Sequence, residues 1–473
     1  MSQSFLRRLR DPVAGLNGWS PVGVVALVAI VAIAAHALIL LVNLGDAVLD
    51  PEAARLTQVP KLKLEPVGNM YYMIAGFGAP AGTDAQAAGE KYVAALLKTF
   101  NDPPDGTPGL HTYTTATPEK LSEPAADRVA RRSCAAFYLE KGDAYRKAAE
   151  QYAHLLSRYA EVRGKAGFEE LVIPDEHAPQ VSLAPISVMR RIEQALAVQA
   201  VAAGDAESGL KKLAVVAAHD RLVFTQAGTL VTKLVALRWV YESASLASEL
   251  ITGDPALAAP HHELLARICA PLDAAAIDLS RAFEATNREW MYRLAHSTGG
   301  TMYGESPSDQ SKYEAALLGL LYRRNETMNS YLGLAKAELA VGAASLSELG
   351  ARIEELRKVR EKMRDPGVLS LFRNTVGKFM AVGTPPVEEY KWRVVDLDGQ
   401  LRLFGLQLAL AKAGVAPGER SGWISLHAPE ARSPYDASPL QYDSARRELR
   451  FTGNGKHRYL PGDQTTLAIR LDR

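Results

Sequence analysis

The sequence predicts a mainly α-helical chain: an N-terminal transmembrane helix, an irregular multi-helix domain outside the cytoplasm, and a small C-terminal β-sheet docked on the last helix. Three observations predict it. A run of 23 residues near the N-terminus is apolar and uncharged, apolar residues then recur at helical spacing through most of the chain, and the last 55 residues switch to short alternating patterns.

The apolar run is Val22 to Leu44, whose only titratable group is His36. At about 1.5 Å per residue it is long enough for a hydrocarbon core of about 30 Å. Arg7, Arg8 and Arg10 precede it, with Trp19 near the boundary, and Asp46, Asp50 and Glu52 follow. Basic residues stay cytoplasmic, which puts residues 1–21 inside and the body outside. The rival is a cleaved signal peptide, since Ala35-His36-Ala37 fits a cleavage site. The apolar run continues through Leu38 to Val42, and that length favours an uncleaved anchor. His36 sits toward the outer end, where a neutral imidazole is tolerable, although ionisable groups inside a membrane are functional candidates. Ala26, Ala29 and Ala32 lie in the span without a GxxxG pattern.

Residues 45–68 read as an extended stalk, because Pro51, Pro60 and Pro66 forbid one continuous helix. Residues 69–414 form the helical domain. It begins with a Gly- and Pro-punctuated segment, then a helix carrying Tyr92, Leu96 and Phe100, and a loop from Asn101 to Gly109. Helical spacing returns over 124–163, and Pro174 and Pro179 break it. The region 185–252 reads as two antiparallel helices divided at Gly204-Asp205, with a second hinge at Thr252 to Pro255. Further helices are expected at 256–296, 311–342, 345–364 and 386–413, and a polar loop from Ser297 to Ser311. The last helix carries the stripe Val394, Leu397, Leu401, Phe404 and Leu408. No fixed repeat period appears. In the β subdomain, 415–473, strands are expected at Trp423–Leu426, Pro439–Asp443, Glu448–Phe451 and Thr465–Leu471. The sheet should cover Leu401, Phe404 and Leu408.

Composition bounds the function. Nearly half of the 473 residues (48%) are apolar, which excludes a disordered chain. The 54 basic residues nearly cancel the 53 acidic ones, so nothing favours nucleic acid, which needs a basic surface. Cys134 and Cys269 lack metal-site spacing; they are either a candidate disulfide closing a very long loop or two separate buried thiols.

No HExxH, P-loop, GxSxG or EF-hand pattern is present. His261-His262-Glu263 opens a helix, where neighbouring side chains diverge by about 100° and cannot easily share one metal. Asp175-Glu176-His177 in a Pro-flanked loop, and His219-Asp220, read as solvated polar groups. Glu354, Glu355, Lys358, Glu361 and Lys362 read as a solvated helix face. Asp396 and Asp398 are too close in sequence to converge on a helix, and Asp398 pairs with Arg402 at i,i+4. No catalytic residue, metal ligand or cofactor is assigned.

The stretches Asn69–Gly89, Leu155–Tyr159, Leu222–Leu237, Arg323–Asn329, and Phe372–Phe379 with Val395–Asp398, taken in order, resemble an uncharacterised family of single-pass envelope proteins of Gram-negative bacteria. The resemblance implies placement in the inner membrane with a periplasmic body, and no chemistry. Pro434-Tyr435-Asp436 with Pro439-Leu440-Gln441-Tyr442 also resembles a turn-and-strand module of pseudopilins. Ser433 stands where that module has Asp, and Ala437 or Ser438 where it has Gly, which argues against its metal-binding role here. Tyr442 should pack on the preceding helix. The expected function is a membrane-anchored periplasmic binding or scaffold protein, in contact with the bilayer and with other envelope proteins. The alternative is an envelope-polymer hydrolase whose acids come together only on folding.

Overall fold

The computed structural model describes residues 20–101, 133–175, 180–297, 319, 321–364, 373–382, 386–427, 431–454 and 466–471. Arg7, Arg8, Arg10, Trp19, the loop after Asn101, Glu176, His177 and most of the loop after Ser297 lie outside them. The helices, in chain order, open with α1 (Pro21–Val42), α2 (Pro51–Leu56), α3 (Met70–Ala75) and α4 (Ala85–Asn101). Next come α5 (Cys134–Glu140), α6 (Gly142–Gln151), α7 (Ala153–Arg163), α8 (Ala184–Ala202), α9 (Ala206–Gln226) and α10 (Leu230–Gly253). Then follow α11 (His262–Ile268), α12 (Ala274–Ile277), α13 (Ser280–His296), α14 (Arg324–Ala343) and α15 (Leu346–Arg364). The last are α16 (Thr375–Val382), α17 (Val387–Lys412) and α18 (Arg420–His427). Three strands close the chain, β1 (Gln441–Asp443), β2 (Glu448–Thr452) and β3 (Thr466–Arg470). The fold is mainly α with a small C-terminal sheet, as the sequence predicts. The chain divides into two compact units.

The first unit comprises Met1–Arg55, Leu294–Leu332 and Arg360–Thr384. Its α1 has 22 residues and is long and apolar enough to cross a membrane. Ser20 caps its start, accepting from the Gly23 amide at 3.2 Å, and Pro21 needs no partner there. The other end is closed by distant residues. The Arg373 guanidinium donates to the Val42 carbonyl at 2.9 Å, and the Asn374 amide donates to the Asn43 side chain at 2.9 Å. These contacts satisfy groups that a helix terminus otherwise leaves open. Asp46 then caps α14, accepting from the amides of Asn325 at 2.9 Å and Glu326 at 3.0 Å. The side chains of Asn325 and Asn329 donate back to the carbonyls of Ala47 and Val48. The segment after α1 is therefore no free stalk: its prolines are visible in sequence, its partners are not.

The second unit comprises Leu56–Arg293, Gly333–Val359 and Pro385–Arg473. Residues 56–68, the rest of the expected stalk, are also tied down, for Lys63 and Leu64 donate their amides to Glu169 at 2.7 and 2.6 Å. The centre is the up-down set α8, α9 and α10. Gly204 turns the chain with φ +91°, and Asp205 caps α9 through the Ser208 amide at 3.2 Å, as the sequence indicates. A second break, Ala227 to Thr229, separates α9 from α10, and the sequence reading did not place it. Buried Arg158 holds the turn after α3 through the carbonyls of Phe77, Pro80 and Thr83 at 2.8–2.9 Å.

Helix α17 packs along α10, where Phe404 meets Tyr241 with ring centroids 6.2 Å apart and Gln407 bonds Ser248 and Thr252. The antiparallel sheet β1-β2-β3 pairs Tyr442 with Leu449 and Leu449 with Ile469. It docks on α17, though not on the expected face. Phe451 lies against Gly399, Tyr435 packs on Trp392 at 5.7 Å, and Asp396 accepts from the Tyr435 hydroxyl and from the Asn454 amide at 3.0 Å. Phe404, assigned to the sheet from sequence, is covered by α10. Tyr435 supplies a ring contact to the helix that the sequence reading did not assign, and Tyr442 is half-buried in β1. Residues 423–426 are helical within α18, where the Trp423 amide reaches the Glu419 carbonyl at 2.9 Å. A four-residue apolar run does not distinguish strand from helix.

Candidate functional site

The second unit contains a cleft of about 600 Å³. One wall is the irregular stretch Leu171 to Ile173, another Val181 and Leu183, and α10 supplies Leu230, Val235 and Trp239. Glu170 sets the geometry at one end. It accepts from the backbone amides of Gly228 at 2.7 Å and Thr229 at 2.5 Å, and from the Thr232 hydroxyl at 2.8 Å. These donors cluster at the start of α10, two amides just ahead of its first turn and one hydroxyl within it, where a carboxylate suits the helix dipole. Burial nevertheless holds Glu170 above the ordinary carboxylate range, against the pull of those three donors.

The other end of the cleft is charged. Arg238 donates to Glu242 at 2.8 Å, and Glu242 also accepts from Arg190 at 2.8 Å. Arg190 is fully buried, so its charge needs partners. Its Nε reaches both Asp220 oxygens at 2.9 Å, and its Nη2 reaches the Trp239 carbonyl at 2.5 Å and the Ser243 hydroxyl at 3.1 Å. Ser243 in turn donates to Asp220 at 2.7 Å. Both carboxylates hold Arg190 ionised against the cost of burial. This network ties α8, α9 and α10 together behind the Trp239 wall.

The sequence candidates fall elsewhere, with two exceptions. Asp175 lines the cleft. His219-Asp220 is not solvated: Asp220 anchors Arg190, and His219 is buried between Tyr159 and Trp239, at 5.4 and 6.2 Å between ring centroids. His219 Nδ1 stands 3.7 Å from Asp220, beyond hydrogen-bond range. His261 meets Glu207 at 3.0 Å, while His262 begins α11. Asp396 and Asp398 diverge as expected. Asp398 accepts from the Leu272 amide and from Arg402, both at 2.7 Å. Glu354 pairs with Arg357 at 2.6 Å on an exposed face. Cys134 and Cys269 are both buried, and no disulfide joins them. They occupy different surroundings: Cys134 opens α5 beside Tyr138 and Leu246, and Cys269 ends α11, where burial pushes its thiol up to about 12. Among the described residues no group of three or more His, Cys, Asp or Glu is placed to hold a metal.

Sequence reasoning missed Glu170, Arg190 and Glu242. One signal was present: Arg190, Glu193 and Gln194 interrupt the α8 face that carries Ile186, Ala197 and Val198. Polar groups on a core-facing stripe demand buried partners. No family model, no curated protein and no solved structure matches this chain.

Proposed function

We propose that this chain is a membrane-anchored binding protein, whose second unit takes an apolar, uncharged or cationic ligand into the cleft. In this reading α1 anchors it in the inner membrane of a Gram-negative cell, with residues 1–21 cytoplasmic and the body periplasmic. The observation that carries the reading is the cleft itself: about 600 Å³, with apolar wall segments such as Leu171 to Ile173, and Val235 with Trp239, interleaved with polar side chains. Four carboxylates, Glu170, Asp175, Glu242 and Glu289, line it with the guanidiniums of Arg191 and Arg238; Glu242 also takes the buried Arg190, so the acidic excess is one charge, which disfavours an anionic guest. The hydrolase reading is weaker because two of those carboxylates are committed. Glu170 faces three donors and Glu242 two guanidiniums, so neither is placed to trade protons with a substrate.

The test uses the full chain in lipid nanodiscs, titrated with the neutral fluorophore N-phenyl-1-naphthylamine. The wild type should give one saturable component above empty nanodiscs, and Val235→Trp, which fills the cleft, should abolish it. The anionic analogue 1-anilinonaphthalene-8-sulfonate should bind more weakly. Identical titrations for wild type, variant and empty nanodiscs would overturn the reading.

A further inference from the structure

We propose that the first unit seats on the phospholipid surface where α1 leaves the membrane, with Phe379 of α16 inserted at the level of the headgroups and upper acyl chains. The inference rests on α1 being the membrane anchor. It starts from an exposed ring. Phe379 is 66% exposed, while its neighbours Met380 and Ala381 are 1% exposed, so one face of α16 is packed and the other presents a bare aromatic. Phe379 is the one aromatic among the exposed large apolar side chains of the described residues.

Position supplies the occupant. Helix α16 begins where α1 ends: the Asn374 amide bonds Asn43 and the Arg373 guanidinium bonds the Val42 carbonyl, both at 2.9 Å. Phe379 follows Asn374 by five residues, a rise of about 8 Å along a helix. The 22 residues of α1 span about 33 Å, slightly more than a hydrocarbon core of about 30 Å. Its end therefore falls in the interfacial layer, roughly 5–8 Å thick on each side, and Phe379 stays at or beside that layer. Leu44 and Val48, at 68% and 91% exposed, add apolar surface to the same exit. Lys378 brings a cationic side chain next to Phe379, while Arg373 is paired with Glu326 at 2.8 Å. Aromatic and cationic side chains together are what a membrane interface favours.

The experiment places a nitroxide at one position at a time in the full chain, in nanodiscs of phosphatidylethanolamine and phosphatidylglycerol. The variants are Phe379→Cys, Leu38→Cys within α1, and Leu426→Cys on α18 as the aqueous reference. The wild type, with its two buried thiols, gives the labelling background. Collision rates with oxygen and with a water-soluble nickel chelate report depth. The expected result is a hydrocarbon signature at 38, water at 426, and at 379 an oxygen-to-nickel ratio severalfold above that at 426. A hydrocarbon signature at 38 with water at 379 overturns the seat and leaves the anchor standing. Water at 38 removes the anchor and the seat together. A label at 379 shielded from both reagents means a protein covers it, and that overturns the lipid assignment.

Discussion

Lys233 and Lys391 are both buried, on α10 and α17, and both converge on the end of α12. Lys233 Nζ lies 3.4 Å from the Asp278 carbonyl and 4.3 Å over the Phe224 ring. Lys391 Nζ donates to the carbonyls of Ile277 at 2.9 Å and Gly342 at 2.8 Å. Arg190 shows the contrast: equally buried, it keeps its charge because Asp220 and Glu242 face it. Burial pulls Lys233 down to about 7, with Lys391 adding to the fall while Asp278 and Asp273 oppose it. Burial likewise takes Lys391 down to about 8, opposed by Asp278. The unfolded chain keeps its lysines protonated up to about pH 10.4. From about pH 7 to about pH 10 the unfolded state therefore binds more protons, and stability rises with pH over that window. Urea midpoints measured from pH 6.5 to 9.5 should rise, and Lys233→Met should flatten the rise. An equal slope in the variant would acquit Lys233.

At the scale of elements, the junction of sheet and helix turns on one missing side chain. A Cβ at Gly399 would lie 2.1 Å from a Phe451 ring carbon, and that ring stacks on Tyr435 at 6.2 Å between centroids. Gly399→Ala should therefore destabilise the protein, by about 1–3 kcal/mol for the overpacking, less the roughly 1 kcal/mol that Ala gains over Gly inside a helix. In a Phe451→Ala background the sign should reverse, since the clash is gone and the helical preference remains. Denaturant titration of the four proteins forms the cycle, and additive effects would mean that the ring is not the cause. This junction also marks how far periodicity reaches. The stripe through Leu401, Phe404 and Leu408 was legible, and so were the helix and the sheet. In α17, however, Val394 to Leu401 are all buried, so the helix has no single core-facing stripe and the pattern cannot say which partner takes which face. Gly204-Asp205 was legible because a left-handed turn and a cap are written locally. Glu170 was not, because it gains its meaning from amides 58 and 59 residues away.

At the scale of the whole molecule, α1 and the charges around it set the expected topology. A reporter fused after Arg473 that works only in the periplasm should be active, and a cytoplasm-only reporter silent. The opposite result would mean that Arg7, Arg8 and Arg10 do not orient the span. Which residues close the end of α1 was beyond sequence reasoning, since Asn43 and Asn374 stand 331 residues apart. That separation has a consequence in time. Ribosomes add roughly 5–20 residues per second, so about 15–70 s pass between synthesis of Asn43 and of its partner. Throughout that interval the end of α1 has only its local caps, such as the Asn43 side chain on the Ile39 carbonyl at 2.8 Å, and lacks the Arg373 guanidinium on Val42. A nascent chain stopped before Arg373 has every residue needed to insert and none of those that cap the Val42 carbonyl and the Asn43 side chain from the far end of the sequence. Arrival of residues 373 and 374, with about a fifth of the chain still to be made, is thus registered at the far end of α1.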